Sequence, residues 1–337
     1  MIDILVAGGG PAGLAAAIRA ASAGLEAVVV EPRPTPVDKA CGEGIMPSGV
    51  TALHALGVTP AGRALRGIRY IDGARQAEAA FRGRPGLGAR RTELHTTLHR
   101  RARELGVRVV AGRVGEVRQS ADRVTAAGLT ARWLIAADGL HSPVRRALGL
   151  ERFCSAPRRY GLRRHYHIAP WTDFVEVHWS RHGEAYVTPV GEELVGVAVL
   201  SRLRGSHEQH LAAFPALART LRGLEAGPVR GAGPLRRTAS TPRAGRVLLA
   251  GDAAGYVDAL TGEGVAMAAA TASAAVDCLL AGRPEDYPAT WARLTRRHRL
   301  LTRALLGAAG HPLTAGLIVP AAHRLPPLFG AAVRALQ

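Results

Sequence analysis

Apolar residues along this chain keep two rhythms, and the points where one gives way to the other divide it. Ile4, Leu5 and Val6 read as a short buried strand, followed by a small-residue helix to about Ala23 and a second buried strand at 27–30 that closes on Glu31. Leu53, Leu56 and Val58 give a helix-like apolar face ending at Gly57. Leu94, Leu98, Ala102 and Leu105 mark an amphipathic helix that opens at Arg91 and stops at Gly106. Buried strands are expected at 107–110, 133–137 and 246–250, the last leading to a small-residue helix from Val265 to about Leu280. From 159 to 200 the period shortens to two: YGLRRHYHI, FVEVHW, EAYVTPV and LVGVAVL predict an antiparallel sheet with one buried face. Residues 65–90 predict two strands around Asp72-Gly73, then a flexible loop holding Gly83, Gly86 and Gly88. The tail, 284–337, predicts helices with Leu300, Leu301, Leu305 and Leu306 as a core stripe, cut by Pro312, Pro320, Pro326 and Pro327.

Composition narrows the reading without changing it. At 337 residues, 47% of them hydrophobic, the chain can bury a large core. The net charge of +18 is carried by arginine, with Lys39 the sole lysine. These arginines are spread along the chain and aromatics are only 4%, so the interleaved basic patch of a nucleic-acid binder is missing. Cys41, Cys154 and Cys278 are far apart and odd in number, which predicts a reducing compartment rather than a disulfide scaffold. Met1 leads straight into a core strand and no apolar run approaches about 20 residues, so a cytoplasmic chain without a transmembrane segment is expected. Its prolines also argue against a tail helix resting on a membrane.

Chemistry enters at Gly8-x-Gly10-Pro11-Ala12-Gly13. Gly8 permits a tight turn, Gly10 lets backbone approach a pyrophosphate, and Gly13 lets the helix pack close on the sheet with its free amides facing phosphate. Glu31, closing the second strand, sits where a carboxylate binds ribose hydroxyls. Two later strands end in polar turns, at Asp138-Gly139 and at Gly251-Asp252, and Gly262-Glu263-Gly264 opens the Val265 helix. Cys41-Gly42-Glu43-Gly44 lies where a helix is expected to begin. Cys41 there is either a small buried filler or a thiol that is reactive or in contact with a bound ligand. His165 and His167 share a strand face but lack a third ligand, so no metal is expected. No Gly-x-Ser-x-Gly elbow, Walker loop or His-Glu-x-x-His is present.

The stretches at Gly8 to Glu31, Asp138-Gly139 and Gly251-Asp252, in that order, resemble the FAD-binding pattern of the p-hydroxybenzoate hydroxylase-like flavoproteins. The superfamily includes monooxygenases, geranylgeranyl reductases and flavin halogenases. The resemblance implies that Glu31 holds the adenosine ribose and that backbone near Val114 touches adenine. Arg91 would reach the phosphate or ribityl region, and Asp252 the ribityl and pyrophosphate. Gly262, Glu263 and Gly264 would contact the flavin ring, with Cys41 and Gly42 facing it. Asp138-Gly139 is associated in hydroxylases with both FAD and NADPH. Pattern and resemblance together predict an α/β fold. A Rossmann-type FAD-binding domain, a mixed parallel sheet with helices, is assembled from 1–65, 88–150 and 235–282. An antiparallel-sheet substrate domain (66–87 and 151–234) is inserted into it, and a helical segment (283–337) follows.

Three functions remain open. The leading expectation is an NADPH- or NADH-consuming monooxygenase acting on a small hydrophobic aromatic or polyketide-like metabolite. Arg163, His165 and Tyr166 are candidates for its pocket lining. The Lys39 to Gly44 loop with Thr261 to Gly264 is similar instead to geranylgeranyl reductases, which saturate isoprenoid double bonds, and this would put Cys41 near the reacting face. Their Tyr-x-Trp-x-Phe-Pro becomes Tyr186-Val187-Thr188-Pro189 here. Ala259 and Ala266 stand where hydroxylases carry proline and asparagine. The third alternative is a flavin-binding protein without turnover.

Overall fold

The computed structural model of the chain describes residues 1–73, 75–155 and 157–335, the side chain of Pro312 excepted. Its first sheet is built from the apolar runs of the two ends of the motif series. Ile2–Ala7 lies between Ala27–Glu31 and Leu129–Ala136, with Arg108–Ala111 beyond the former and Val247–Leu249 beyond the latter, all five parallel. Leu5, Val6, Val28, Val29, Leu134 and Leu248 are fully buried because both faces of the sheet are covered. Each such side chain contributes about 1.5–3 kcal/mol of burial. On one face, Pro11–Ser22 packs against Gly264–Leu280 and Arg91–Glu104, and alanines at the first contact let the helices approach closely.

The second sheet has seven strands in the order Arg230–Ala232, Tyr160–His167, Leu194–Ser201, Gly183–Gly191, Phe174–Ser180, Gly67–Asp72 and Arg75–Ala80. It is antiparallel except where Phe174–Ser180 runs parallel to Gly67–Asp72. The expected strand pair around Asp72-Gly73 has joined its edge, which makes the sheet mixed. Gly86–Gly88, expected as a flexible loop, is a strand pairing with Gly44–Ile45 and Arg63–Leu65. A Cβ on Gly88 would lie 1.8 Å from the Pro189 carbonyl oxygen, so its glycine serves close backbone contact rather than mobility.

The tail folds as a long helix, Tyr287–Gly310, and three short ones, Pro312–Ala315, Ile318–Arg324 and Pro326–Arg334. Val319, Ala322, Phe329 and Val333 press onto the second sheet, where Tyr70 meets Phe329 at 4.7 Å and Trp179 at 5.1 Å. The expected leucine stripe is only half realised. Leu305 and Leu306 touch this core, whereas Leu300 is 55% exposed.

Candidate functional site

The first strand turns at Gly8, whose φ of +98° suits glycine, and a Cβ there would sit 2.6 Å from the Ala137 carbonyl oxygen. At Gly13 a Cβ would overlap the Gly8 carbonyl oxygen, at 1.8 Å. The opening helix starts at Pro11 with no side-chain cap, so its first-turn amides are free for an anion. At Gly10 a Cβ would point into the gap towards Arg91, 3.9 Å from Nη2. Arg91 is buried, and its Nη1 has no partner among the described residues. Burial lowers its pKa. A buried guanidinium with one unpartnered nitrogen beside free helix amides suits a phosphate.

Glu31 lies one strand away, its Oε2 accepting the Gly9 amide at 2.7 Å and its Oε1 the Arg33 Nε at 2.7 Å. Burial pulls its pKa up, but the bonds from Arg33 and Gly9 outweigh this and hold it below the usual range. Val114 is buried just beyond Arg108–Ala111, and Gly112 N–H donates to the Glu31 carbonyl at 3.3 Å. The turn that leads to Val114 is therefore fastened to Glu31 at Gly112.

The two later turns come to the same place. A Cβ on Gly251 would lie 2.8 Å from that of Ala12, so the third stretch rests on the first turn of the opening helix. Asp252 is pushed up in pKa by burial, against the pull of Lys39 and Arg91. Asp138 is raised by burial too, and its Oδ1 is buried without a partner among the described residues while Oδ2 accepts the Val144 amide at 3.0 Å. Lys39 Nζ would be 3.1 Å from a Cβ on Gly139. Arg145 joins the two turns. It is fully buried, with Nη1 donating to the Ala253 carbonyl at 2.9 Å and Nη2 to the Leu140 carbonyl at 2.9 Å.

At the far end, Gly262 takes φ +71°, and its Cβ would sit 3.3 Å from Met46 Cε and 4.0 Å from the Gly44 carbonyl oxygen. The two glycine loops thus face each other at Met46. Glu263 is pinned by His298 at 2.6 Å, and the long helix begins at Gly264 without a side-chain cap. Glu43, between Cys41 and Gly44, has one oxygen 2.6 Å from His165 Nε2 and the other accepting the Arg91 amide at 2.8 Å. Thr188 donates to the Gly42 carbonyl at 2.8 Å, fastening the same loop to the second sheet.

Two expected residues behave otherwise. Cys41 is not at a helix start, because Gly44–Ile45 intervenes as a strand before the helix Pro47–Ala55. Burial raises its thiol pKa instead of a helix end lowering it. Tyr166 faces away from Arg163 and His165, packing with Phe214 and reaching His207 at 3.5 Å. Adjacent strand residues point to opposite faces, which removes it from the pocket lining. Sequence reading gave Lys39, Glu43 and Arg145 no role of their own. Lys39 had a signal as the sole lysine, and Glu43 as an acid inside a glycine loop.

The donor set fits FAD. Free amides at Ala12 and Gly13 with Arg91 would hold the diphosphate, Glu31 the ribose, Asp252 the polyol, and Gly262 to Gly264 the ring. Residues 1–163 match the family described as an FAD binding domain. A menaquinone reductase of Mycolicibacterium smegmatis is 31% identical over 333 residues, spanning 88% of this chain and 80% of its own. Digeranylgeranylglycerophospholipid reductase 1 of Methanopyrus kandleri is 29% identical over 299 residues, spanning 78% of this chain and 76% of its own. A flavoprotein/dehydrogenase from Cytophaga hutchinsonii superimposes with a TM-score of 0.85 at 18% identity, over 99% of this chain and 92% of that one.

Proposed function

We propose, since the chain belongs to the p-hydroxybenzoate hydroxylase-like family of FAD-dependent oxidoreductases, that it is the reductase of a double bond in the isoprenoid chain of a quinone or related lipid. The curated relatives, named as reductases of menaquinone and of digeranylgeranylglycerophospholipid, support reduction over the oxygenation expected first. One structural observation carries the reading. The paired loops at Gly44 and Gly262 lie against an apolar layer in which Met46, Val175, Tyr186 and Leu260 are buried in one cluster with Val319 and Phe329. An isoprenoid offers only apolar surface, and such a layer suits it.

Bound FAD supplies the hydride. The protein's part is to exclude water, align the chain and place a proton-holding group nearby. Glu43 and His165 form the acid–imidazole pair at the loop's edge, and Cys41 adds a protonated thiol beside them. NADPH or NADH is the proposed source of electrons. FAD-loaded protein, chemically reduced under nitrogen and given detergent-dispersed menaquinone, should return, once the quinone ring has been reoxidised in air, a product heavier by two hydrogens per saturated bond. A product that forms only with oxygen and carries an added oxygen atom would return the function to monooxygenation.

A further inference from the structure

We infer that the C-terminal helices are a docking surface for an anionic phospholipid bilayer, and that the chain draws its lipid substrate from the membrane beneath them. This rests on the reading above for what is extracted, but it is tested by binding alone.

Three observations converge. The first is charge. Asp286 is the last acidic residue, and every ionised side chain after it is an arginine, with histidines between. Arg293, Arg296, Arg297 and Arg303 are all exposed on the long helix Tyr287–Gly310. Such a surface attracts anionic headgroups.

The second is apolar exposure. Leu313 is 77% exposed, Leu328 65%, Leu317 58% and Leu325 51%, all within one short segment. Clustering of this kind differs from the scattered single leucines of an ordinary surface. The prolines that argued against a membrane-resting tail are what create it. Pro312 and Pro326 each begin a short helix, and the leucines stand at or beside the breaks. On the long helix, Arg293 and Arg297 continue along one stripe into Leu300, Ala304 and Gly307, so charge gives way to apolar surface towards the leucines. No single described helix is long and apolar enough to span a bilayer; the long helix and the stretch Leu313–Arg324 have the length and composition only as a pair, and they meet at 110°. The geometry is that of a segment lying in the interface.

The third is continuity with the interior. The helices that expose Leu317, Leu325 and Leu328 on or beside their outer faces turn Val319, Ala322, Phe329 and Val333 inward onto the apolar layer of the second sheet. The surface that would touch lipid is the outer side of the cover over the proposed substrate layer. An isoprenoid leaving the bilayer there stays in apolar surroundings throughout.

The test is sedimentation of the full FAD-loaded chain with vesicles of phosphatidylcholine alone or mixed with phosphatidylglycerol. Binding should favour the anionic vesicles and weaken with salt. Leu313→Asp with Leu317→Asp should reduce it about tenfold at any salt, and Arg293→Glu with Arg296→Glu about tenfold at low salt only. Vesicles should also slow hydrogen exchange within residues 311–335 of the unsubstituted chain, a reading that needs no variant. Equal binding to neutral and anionic vesicles, full binding by the leucine variant, or exchange protection elsewhere would each overturn the inference. So would a dimer that the leucine substitutions dissociate, since a second copy would then cover the face. Reduction of a short-chain, water-soluble quinone analogue reads the catalytic proposal separately.

Discussion

Glu43 Oε2 lies 2.6 Å from His165 Nε2, across 122 residues of sequence, while Oε1 of the same carboxylate accepts the Arg91 amide at 2.8 Å. One buried acid therefore fastens the Cys41 to Gly44 loop both to the helix bearing the phosphate-site arginine and to the second sheet. Glu43 holds φ +60°, a left-handed conformation that costs an L residue about 1–2 kcal/mol. The surroundings must over-determine it.

That relationship sets the first expectation. Glu43→Gln keeps the shape but removes the charge facing His165 and Arg163. It should lower unfolding free energy by about 1–3 kcal/mol and weaken FAD binding. Glu43→Gly relieves the backbone by about 1–2 kcal/mol but also loses the acceptor for the Arg91 amide and the contact with His165, so it should be the less stable of the two. Urea titrations of the two variants decide it: a glycine variant as stable as the glutamine one would show that the relieved backbone outweighs the lost bonds.

The fingerprint glycines should separate folding from cofactor binding. Gly13→Ala places a methyl 1.8 Å from the Gly8 carbonyl oxygen, so the strand–helix contact must open, and destabilisation of about 2–4 kcal/mol is expected even without FAD. The Cβ of a Gly10→Val side chain would meet nothing nearer than Arg91 Nη2 at 3.9 Å. This variant should melt like the parent apoprotein yet fail to retain flavin. Comparing apoprotein melting curves with absorbance near the flavin bands distinguishes the two, and an unstable Gly10→Val would refute the assignment of its gap to the ligand.

These glycines also show what was legible in the sequence. Short-range geometry was: Gly8, Gly10 and Gly13 act within one turn, and residues three to five apart dictate it. The helix from Gly264 was equally plain, because small residues at its contacts leave a local signature. Glu43, Arg145 and Lys39 act across long separations, Arg145 reaching from Leu140 to Ala253, and single-chain periodicity carries no record of such pairings. The Gly86–Gly88 strand was hidden for the same reason. A glycine pressed against a distant carbonyl reads, in sequence, as a loop. Tyr166 failed differently: period two sends it to the face opposite Arg163 and His165.

Cys41 should be a slow nucleophile. Burial raises its thiol pKa, so the thiolate fraction at neutral pH falls below that of a free thiol. Iodoacetamide should label Cys41 more slowly than glutathione at pH 7.5, with peptide mapping to identify the site. Faster labelling would restore the activated-thiol expectation. Cys41→Ser should retain FAD, because no donor in the groove depends on the sulfur except the Glu43 amide, 3.4 Å away.

A last expectation concerns acid. Asp258 and Glu184 share Arg159, with Asp258 Oδ2 3.1 Å from its Nε and Glu184 Oε2 2.5 Å from its Nη2, all three buried. Burial, helped by Glu184 and opposed by Arg159, raises Asp258 from 3.8 to about 6. Between these values the folded chain holds a proton that the unfolded chain has released, so this group makes stability fall as pH rises from about 4 to about 6. Above that window the whole penalty, on the order of 2–3 kcal/mol, is present. Asp258→Asn cannot titrate and should lose this slope. Its melting temperature relative to the parent should climb through the window and then level off, and parallel curves for the two proteins would mean that Asp258 titrates as it does in the unfolded chain.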